Sequence, residues 1–190
     1  MIYLFFDTET TGLPRNYKAP ASDTNNWPRM IQIAWLLTDD EGKRLDSAEF
    51  IIRPDGFTIP KAASNVHGIS TERAIEQGVE LDDVLTQFAA LVDEADAIVA
   101  HNISFDEKII GAEFIRRNIN NSFDPKPKIC TMHSSTDFCQ IPGRYGFKWP
   151  KLSELHIKLF DEDFEGAHDA LADIEATERC FFELKKKGIL

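Results

Sequence analysis

Five residues of this sequence have types suited to one piece of chemistry: Asp7, Glu9, Asp106, Asp173 and His168. Asp7 and Glu9 stand in D-T-E-T-T-G over residues 7–12, directly after the apolar run Ile2, Tyr3, Leu4, Phe5 and Phe6. That run reads as a central strand buried on both faces. Side chains alternate along a strand, so Asp7 and Glu9 point to one face and Thr8 to the other. Two carboxylates this close, at the end of a buried strand, repel each other. They need raised pKa values or a cation, and a hard divalent metal with oxygen ligands is the simplest resolution. A lone D-x-E fits a strand running into a polar turn at Gly12 equally well, so the other residues must decide.

Asp106 falls in the first turn of a helix that follows a short buried strand, residues 97–100, and the pair His101-Asn102. An acid in a first turn complements the helix dipole whatever its function. Yet α/β sheets place ligand sites at the carboxyl ends of parallel strands, and Asp106 shares such an end with Asp7 and Glu9. Asp173 lies in the last helix. At ~100° per residue it falls ~40° from Thr177 and ~20° from Leu184, at the edge of the stripe that faces the sheet. Acids are rarely buried there without a partner. His168 precedes Asp173 by five residues. Four carboxylates and one histidine at a sheet edge suit a two-metal phosphoryl site, with the imidazole able to take a proton from water.

The elements that must position these groups form an α/β pattern. Residues 31–37 and 47–52 read as two further strands, joined by the turn D-D-E-G at 39–42 and therefore antiparallel. Between Leu13 and Met30 lies a long loop with three prolines, and Trp27 is its candidate anchor. Residues 64–72 read as a turn into a helix capped by Thr71, and residues 82–95 as a second helix with Val84, Leu85, Phe88, Leu91 and Val92 on one face. In the helix carrying Asp106, Ser104 and Glu107 match a capping box, and Phe105, Ile109, Ala112 and Ile115 supply the core stripe. Residues 129–132 read as a fifth strand, followed by an irregular stretch to Pro150 and a short helix over 152–159. Asp169 is the expected N-cap of the last helix, whose buried face carries Ala170, Ile174, Thr177, Phe181 and Leu184. Lys185, Lys186 and Lys187 favour its dipole, and Gly188 stops it. The order βββ-α-β-α-β-α predicts one domain over 190 residues: a mixed five-stranded sheet flanked by helices.

Composition narrows the function. A net charge of −11 argues against a protein that holds nucleic acid on a broad basic face. If nucleic acid is the substrate, bound metals and a local group of cations must offset the repulsion. Arg144, Lys148 and Lys151 form one such group, for which a solvated surface is the simpler reading. The cysteines, Cys130, Cys139 and Cys180, show no metal-ligand spacing, and Cys130 and Cys180 read as buried thiols of a reducing, cytoplasmic compartment. No signal peptide or membrane span is visible.

Three stretches, D-T-E-T-T-G at 7–12, H-N-I-S-F-D at 101–106 and H-D-A-L-A-D at 168–173, together resemble the exonuclease motifs of the DEDDh family of 3′→5′ exonucleases. That family includes the proofreading epsilon subunit of bacterial DNA polymerase III and ribonuclease T. V-H-G-I at 66–69 and K-L-S-E-L at 151–155 resemble its intermediate signatures. The resemblance implies a ribonuclease H-like fold and two Mg²⁺ or Mn²⁺ ions held by Asp7, Glu9, Asp106 and Asp173. Asp7 would bridge both ions, Glu9 and Asp173 would share one, and Asp106 would hold the second. His168 would be the general base for a water attacking the last phosphodiester, releasing a nucleoside 5′-monophosphate. The peptide groups of Thr10 to Gly12 would approach the terminal sugar, with Leu13 and Phe105 on the bases. His67 and Asn102 complete the implied substrate contacts.

The loop at 13–30 looks longer than in compact members, and its position predicts that it borders the substrate groove. The chain also ends soon after the last helix, where an epsilon-type subunit carries a tail for its polymerase. A free-standing enzyme, or one held by its catalytic-domain surface, is the expectation, with a replicative polymerase as candidate partner. Single-stranded DNA, or the 3′ end of a duplex, is the expected substrate. RNA ends remain an alternative, as does a binding module of the same fold without activity.

Overall fold

The apolar run that opens the chain becomes β1 (Tyr3–Thr10) in the computed structural model, which describes residues 1–190. β2 (Met30–Thr38) and β3 (Arg44–Ile51) follow, and each pairs antiparallel with the strand before it. Next come α1 (Lys61–His67), α2 (Thr71–Gln77), α3 (Leu81–Glu94), β4 (Ala97–Ala100), α4 (Ile103–Arg117) and β5 (Lys128–Cys130). Two single-turn helices, α5 (Thr131–Ser134) and α6 (Thr136–Cys139), lead to a hairpin of β6 (Pro142–Gly143) and β7 (Gly146–Phe147). α7 (Leu152–Phe160) and α8 (Ala170–Lys186) end the order. The five-stranded sheet runs β3-β2-β1-β4-β5, with β4 and β5 parallel to their neighbours. It is the expected mixed sheet flanked by helices. No helix is long and apolar enough to cross a membrane.

The pleat of β1 sorts its aromatics into two cores. Tyr3 and Phe5 face α8 and pack with Leu36, Val99, Ile174 and Phe181. Leu4 and Phe6 face α3 and α4 and pack with Trp35, Ile98, Phe88 and Phe114. Ring contacts tie each side together: Phe5 meets Phe181 edge-on at 5.2 Å, and Phe6 meets Phe88 at 5.3 Å. Each such ring, fully buried, contributes about 1.5–3 kcal/mol. β1 pairs with β2 from Tyr3↔Thr38 to Thr10↔Met30 but with β4 only from Tyr3↔Ala97 to Phe5↔Val99. Residues 6–10 therefore run past the end of β4 with one ladder edge open.

Several local expectations are corrected. Ser70, not Thr71, caps α2 by accepting from the Arg73 N–H; the Thr71 hydroxyl accepts from Ile59 instead. The fifth strand stops at Cys130, because Thr131 and Met132 already belong to α5. The stretch before Pro150 holds two helical turns and the hairpin rather than irregular chain. Ile115 is 50% exposed, and α4 instead buries Ile103, Ile110 and Phe114 beside Ile109 and Ala112. Its stripe is rotated because the helix wedges against the loop before β2. Cys139 and Cys180 are the buried thiols, whereas Cys130 at the sheet edge is half-buried.

The long loop is held to α4 by polar ties. The Asn26 side chain spans the Asn16 backbone, with bonds of 2.8 and 2.9 Å. Trp27 is buried, as an anchor should be, and its indole N–H donates to the Pro20 carbonyl at 3.0 Å. Arg116 donates to the Thr24 and Trp27 carbonyls. A methyl at Gly111 would stand 3.1 Å from the Ala21 methyl, so the bare glycine lets the loop lie against α4.

Candidate active site

Asp7 and Glu9 fall on the odd-numbered face of β1, the face that α8 covers. Asp173 enters from the first turn of that helix, whose N-cap is Asp169 as expected, accepting from the Ala172 N–H at 3.2 Å. The His168 backbone N–H donates to Asp173 Oδ2 at 3.2 Å, fixing the turn before the helix on the acid it precedes. His168 itself is exposed, with φ +71°, a left-handed conformation that non-glycine residues seldom adopt. Ligand atoms of Glu9, His168 and Asp173 lie within 4.8 Å of one another.

Asp106 comes from the opposite layer and reaches the same place around the open edge of β1. Its Oδ1 accepts from both the Thr8 N–H at 3.1 Å and the Thr8 hydroxyl at 2.7 Å. Thr8 thus uses the edge N–H that no strand takes up, and the carboxylate is nearly fully buried. The capping box expected at Ser104 and Glu107 does not form. Asn102 turns the chain into α4 with φ +68°, Ser104 donates to the Asn102 side chain, and Glu107 pairs with Lys108.

Sequence reasoning missed what holds this corner. His101 Nε2 lies 3.0 Å from the Pro150 carbonyl and Nδ1 lies 3.0 Å from the Thr131 hydroxyl. A carbonyl only accepts, so Nε2 carries the proton and Nδ1 accepts from Thr131. Burial pushes the imidazole down to about 4, so it stays neutral as this brace requires. The brace ties the ends of β4 and β5 to the segment before α7.

The four acids are electrostatically frustrated. Burial first, then Asp106, Asp173, Glu9 and Asp169, drives the Asp7 carboxyl well above the ordinary range. Glu9 is pushed up to about 8 by burial and by Asp173, Asp106 and Asp169. Burial lifts Asp106 to about 7 against the pull of its two Thr8 hydrogen bonds. Asp173 rises to about 6, again mainly through burial, with the His168 contacts opposing. No lysine or arginine stands among these neighbours. An all-oxygen donor set, half-buried apart from buried Asp106, mutually repelling and without a cation of its own, fits divalent metal ions.

Beside the acids opens a cleft of about 390 Å³ lined by Thr8, Glu9, Thr10, Gly12, Leu13 and Phe105, and by α1 through Ala62, Ala63, Val66 and His67. The Leu13 end of the long loop therefore borders the cleft, while its middle lies on α4. Leu13 is 75% exposed, and Phe105 both packs on the core and faces the cleft. The Thr10 hydroxyl is bonded to the Gly12 carbonyl at 2.7 Å, so it shapes the turn. His67 accepts from the Ile69 N–H at 3.2 Å through Nδ1, while buried Nε2 has no hydrogen-bond partner. Burial holds this imidazole below its ordinary range, with the Thr10 backbone opposing. Asn102 is not among the cleft-lining residues. The α1 wall was missed because residues 61–67 have no capping side chain at their start. The available signal was Gly68, whose φ of +74° ends the helix.

The RNase_T exonuclease family model matches residues 4–181, and the chain belongs to this family as an exonuclease domain of the DEDDh type. Among sequence relatives, the PolC-type DNA polymerase III of Staphylococcus saprophyticus is 27% identical over 185 residues, 97% of this chain and 11% of that protein. That of Pediococcus pentosaceus is 26% identical over 184 residues, again 11% of its length. Among solved structures, the zinc-bound complex of Escherichia coli exonuclease I with single-stranded DNA aligns over 98% of this chain and 41% of that one, with TM-score 0.75 and 22% identity. Exonuclease I from Methylocaldum szegediense gives TM-score 0.76 at 19% identity, over 98% and 40% of the two chains. The chain thus spans about a ninth of these polymerases and two-fifths of these exonucleases. The structural likeness establishes the ribonuclease H-like fold.

Proposed function

We propose that residues 1–190 act as one exonuclease domain that removes nucleotides from 3′ ends of single-stranded DNA as nucleoside 5′-monophosphates. The observation that carries this reading is the meeting of four acids from β1, α4 and α8, one buried and three half-buried, without a cation, beside an apolar cleft of nucleotide size. Two divalent ions, Mg²⁺ or Mn²⁺, held by Asp7, Glu9, Asp106 and Asp173, would supply the positive charge that the phosphate and the attacking water need. His168, exposed at the rim beside Glu9 and Asp173, accepts the proton of that water. The turn Thr10 to Gly12 lies along the terminal sugar. Leu13, Val66 and Phe105 enclose the terminal base and exclude water, and His67 forms part of the cleft wall beside them. Asn102 acts indirectly, by turning α4 so that Asp106 reaches Thr8. The names of the relatives support DNA as substrate and a replicative polymerase as an associate.

The test is digestion of matched 3′- and 5′-labelled DNA and RNA oligonucleotides with Mg²⁺, Mn²⁺ or chelator. Stepwise loss of the 3′ label from DNA, stopped by chelator, is expected. Cleavage of RNA alone would transfer the domain to RNA trimming, and no cleavage of either would leave a binding module.

A further inference from the structure

The hairpin of β6 and β7 is the one basic and aromatic feature that the catalytic reading does not use. Residues 138–153 hold three cations, Arg144, Lys148 and Lys151, and no carboxylate, in a chain of net charge −11. Three aromatics alternate with them and stand out into solvent: Tyr145 at 88% exposure, Phe147 at 48% and Trp149 at 64%. Such exposure is unusual for rings that could have been buried. The Arg144 guanidinium leans on the Tyr145 ring at 5.1 Å, and His133 packs tilted against Trp149 at 4.8 Å, so two of the rings are braced from one side. Glu154 holds Lys148 at 2.6 Å, while Lys151 is exposed.

The hairpin is also anchored to the catalytic corner. Pro150, next to Trp149, accepts from His101, and His101 directly follows β4. β4 lies between β1, which carries Asp7 and Glu9, and β5, so His101 leaves the sheet on the strand next to those acids. The hairpin therefore rises on the β5 side of the acids, whereas the cleft for the terminal nucleotide opens on the α1 side.

We propose that Tyr145, Phe147 and Trp149 form a second nucleic-acid contact, on which bases of the substrate strand stack upstream of the terminal nucleotide. This rests on the exonuclease reading and extends it. Exposed rings interleaved with cations are how proteins hold single strands without reading sequence, and the local excess of positive charge complements phosphate.

Two independent readouts test the proposal. Of the three tryptophans, Trp27 and Trp35 are buried at 3% and 2% exposure, so solvent-sensitive emission comes from Trp149. Titrating a twelve-residue oligothymidylate with Ca²⁺ should quench that emission. Anisotropy of a labelled oligonucleotide should show Trp149→Ala and Tyr145→Ala each weakening binding roughly tenfold, as the loss of one stacked base does, with Trp149→Phe restoring most of it. In turnover, KM for the twelve-mer should rise by a similar factor, while hydrolysis of the p-nitrophenyl ester of thymidine 5′-monophosphate, too short to reach the hairpin, keeps its rate. Equal affinity of wild type and both alanine variants would overturn the proposal, as would equal weakening on the ester. If wild type binds the oligonucleotide and cleaves nothing, the exonuclease reading fails while the hairpin contact stands.

Discussion

Glu113, in the C-terminal half of α4, and the acids gathered near Asp106 in its first turn are carboxylates drawn into the fold and handled in opposite ways. Glu113 is fully buried, and one of its oxygens receives the Arg29 side chain at 2.9 Å, the Met30 N–H at 3.0 Å and Arg116 at 2.9 Å. Its charge is answered by the chain itself, and the result is a clamp between α4, β2 and the long loop. Asp7, Glu9, Asp106 and Asp173 receive two Thr8 bonds and one backbone N–H among them, and otherwise face each other. An acid whose partner is built in belongs to the framework. Acids left without one are a demand for something from solution.

Substitution breaks the two groups in different ways. Asp7→Asn should lower nuclease activity more than roughly hundredfold, since even groups that merely orient metal ligands are worth 10–100-fold. It should also raise the melting temperature of the metal-free protein, because one buried repelling charge is gone. An Asp7→Asn protein that digests oligonucleotides at the wild-type rate would end the distinction. Glu113→Gln should do the reverse. It leaves two guanidinium groups against a neutral amide and should cost about 3 kcal/mol in urea unfolding, while activity per folded molecule holds. A loss of activity at unchanged stability would place Glu113 with the site instead.

The finest separation is by pH. The site acids are protonated more readily in the folded chain than in the unfolded one. Their contribution is therefore undiminished below about pH 4, and stability declines as pH rises through about 6, 7 and 8, where Asp173, Asp106 and Glu9 ionise in the folded state. In chelator, melting temperature should fall over this window by several degrees more in wild type than in Asp7→Asn. Mg²⁺ should recover more at pH 8 than at pH 5. A pH profile identical for the two proteins would contradict the frustration described here.

Residues that act through near neighbours in the chain were legible in the sequence. The alternation of β1 sets Asp7 and Glu9 on one face, and the period of α8 sets Asp173 at the edge of its buried stripe. Asp169 caps that helix through the N–H three residues on. What was not legible depends on partners far along the chain. The Thr8–Asp106 bonds span 98 residues, and the His101 bond to Pro150 spans 49. Nothing local to Ser104 and Glu107 reveals that Asn102 has already turned the backbone. Glu113 carries no local signal of burial, because its partners Arg29 and Met30 arrive from the far end of the loop. Ile115 looked like core for the same reason: the loop, not the sequence period, decides which side of α4 is covered.

The overhang of β1 beyond β4 has a consequence for solubility. Tyr3–Thr10 opens with a strand-prone run of four apolar residues, and past Phe5 one side of its backbone has no neighbouring strand. An open edge of that kind invites a strand from another molecule, and such pairing seeds aggregation. Asp106 occupies the place a foreign strand would take, already bonded to the Thr8 amide. The acids around it give that approach a charged barrier. The carboxylates proposed to hold metal ions thus also guard this edge against self-association.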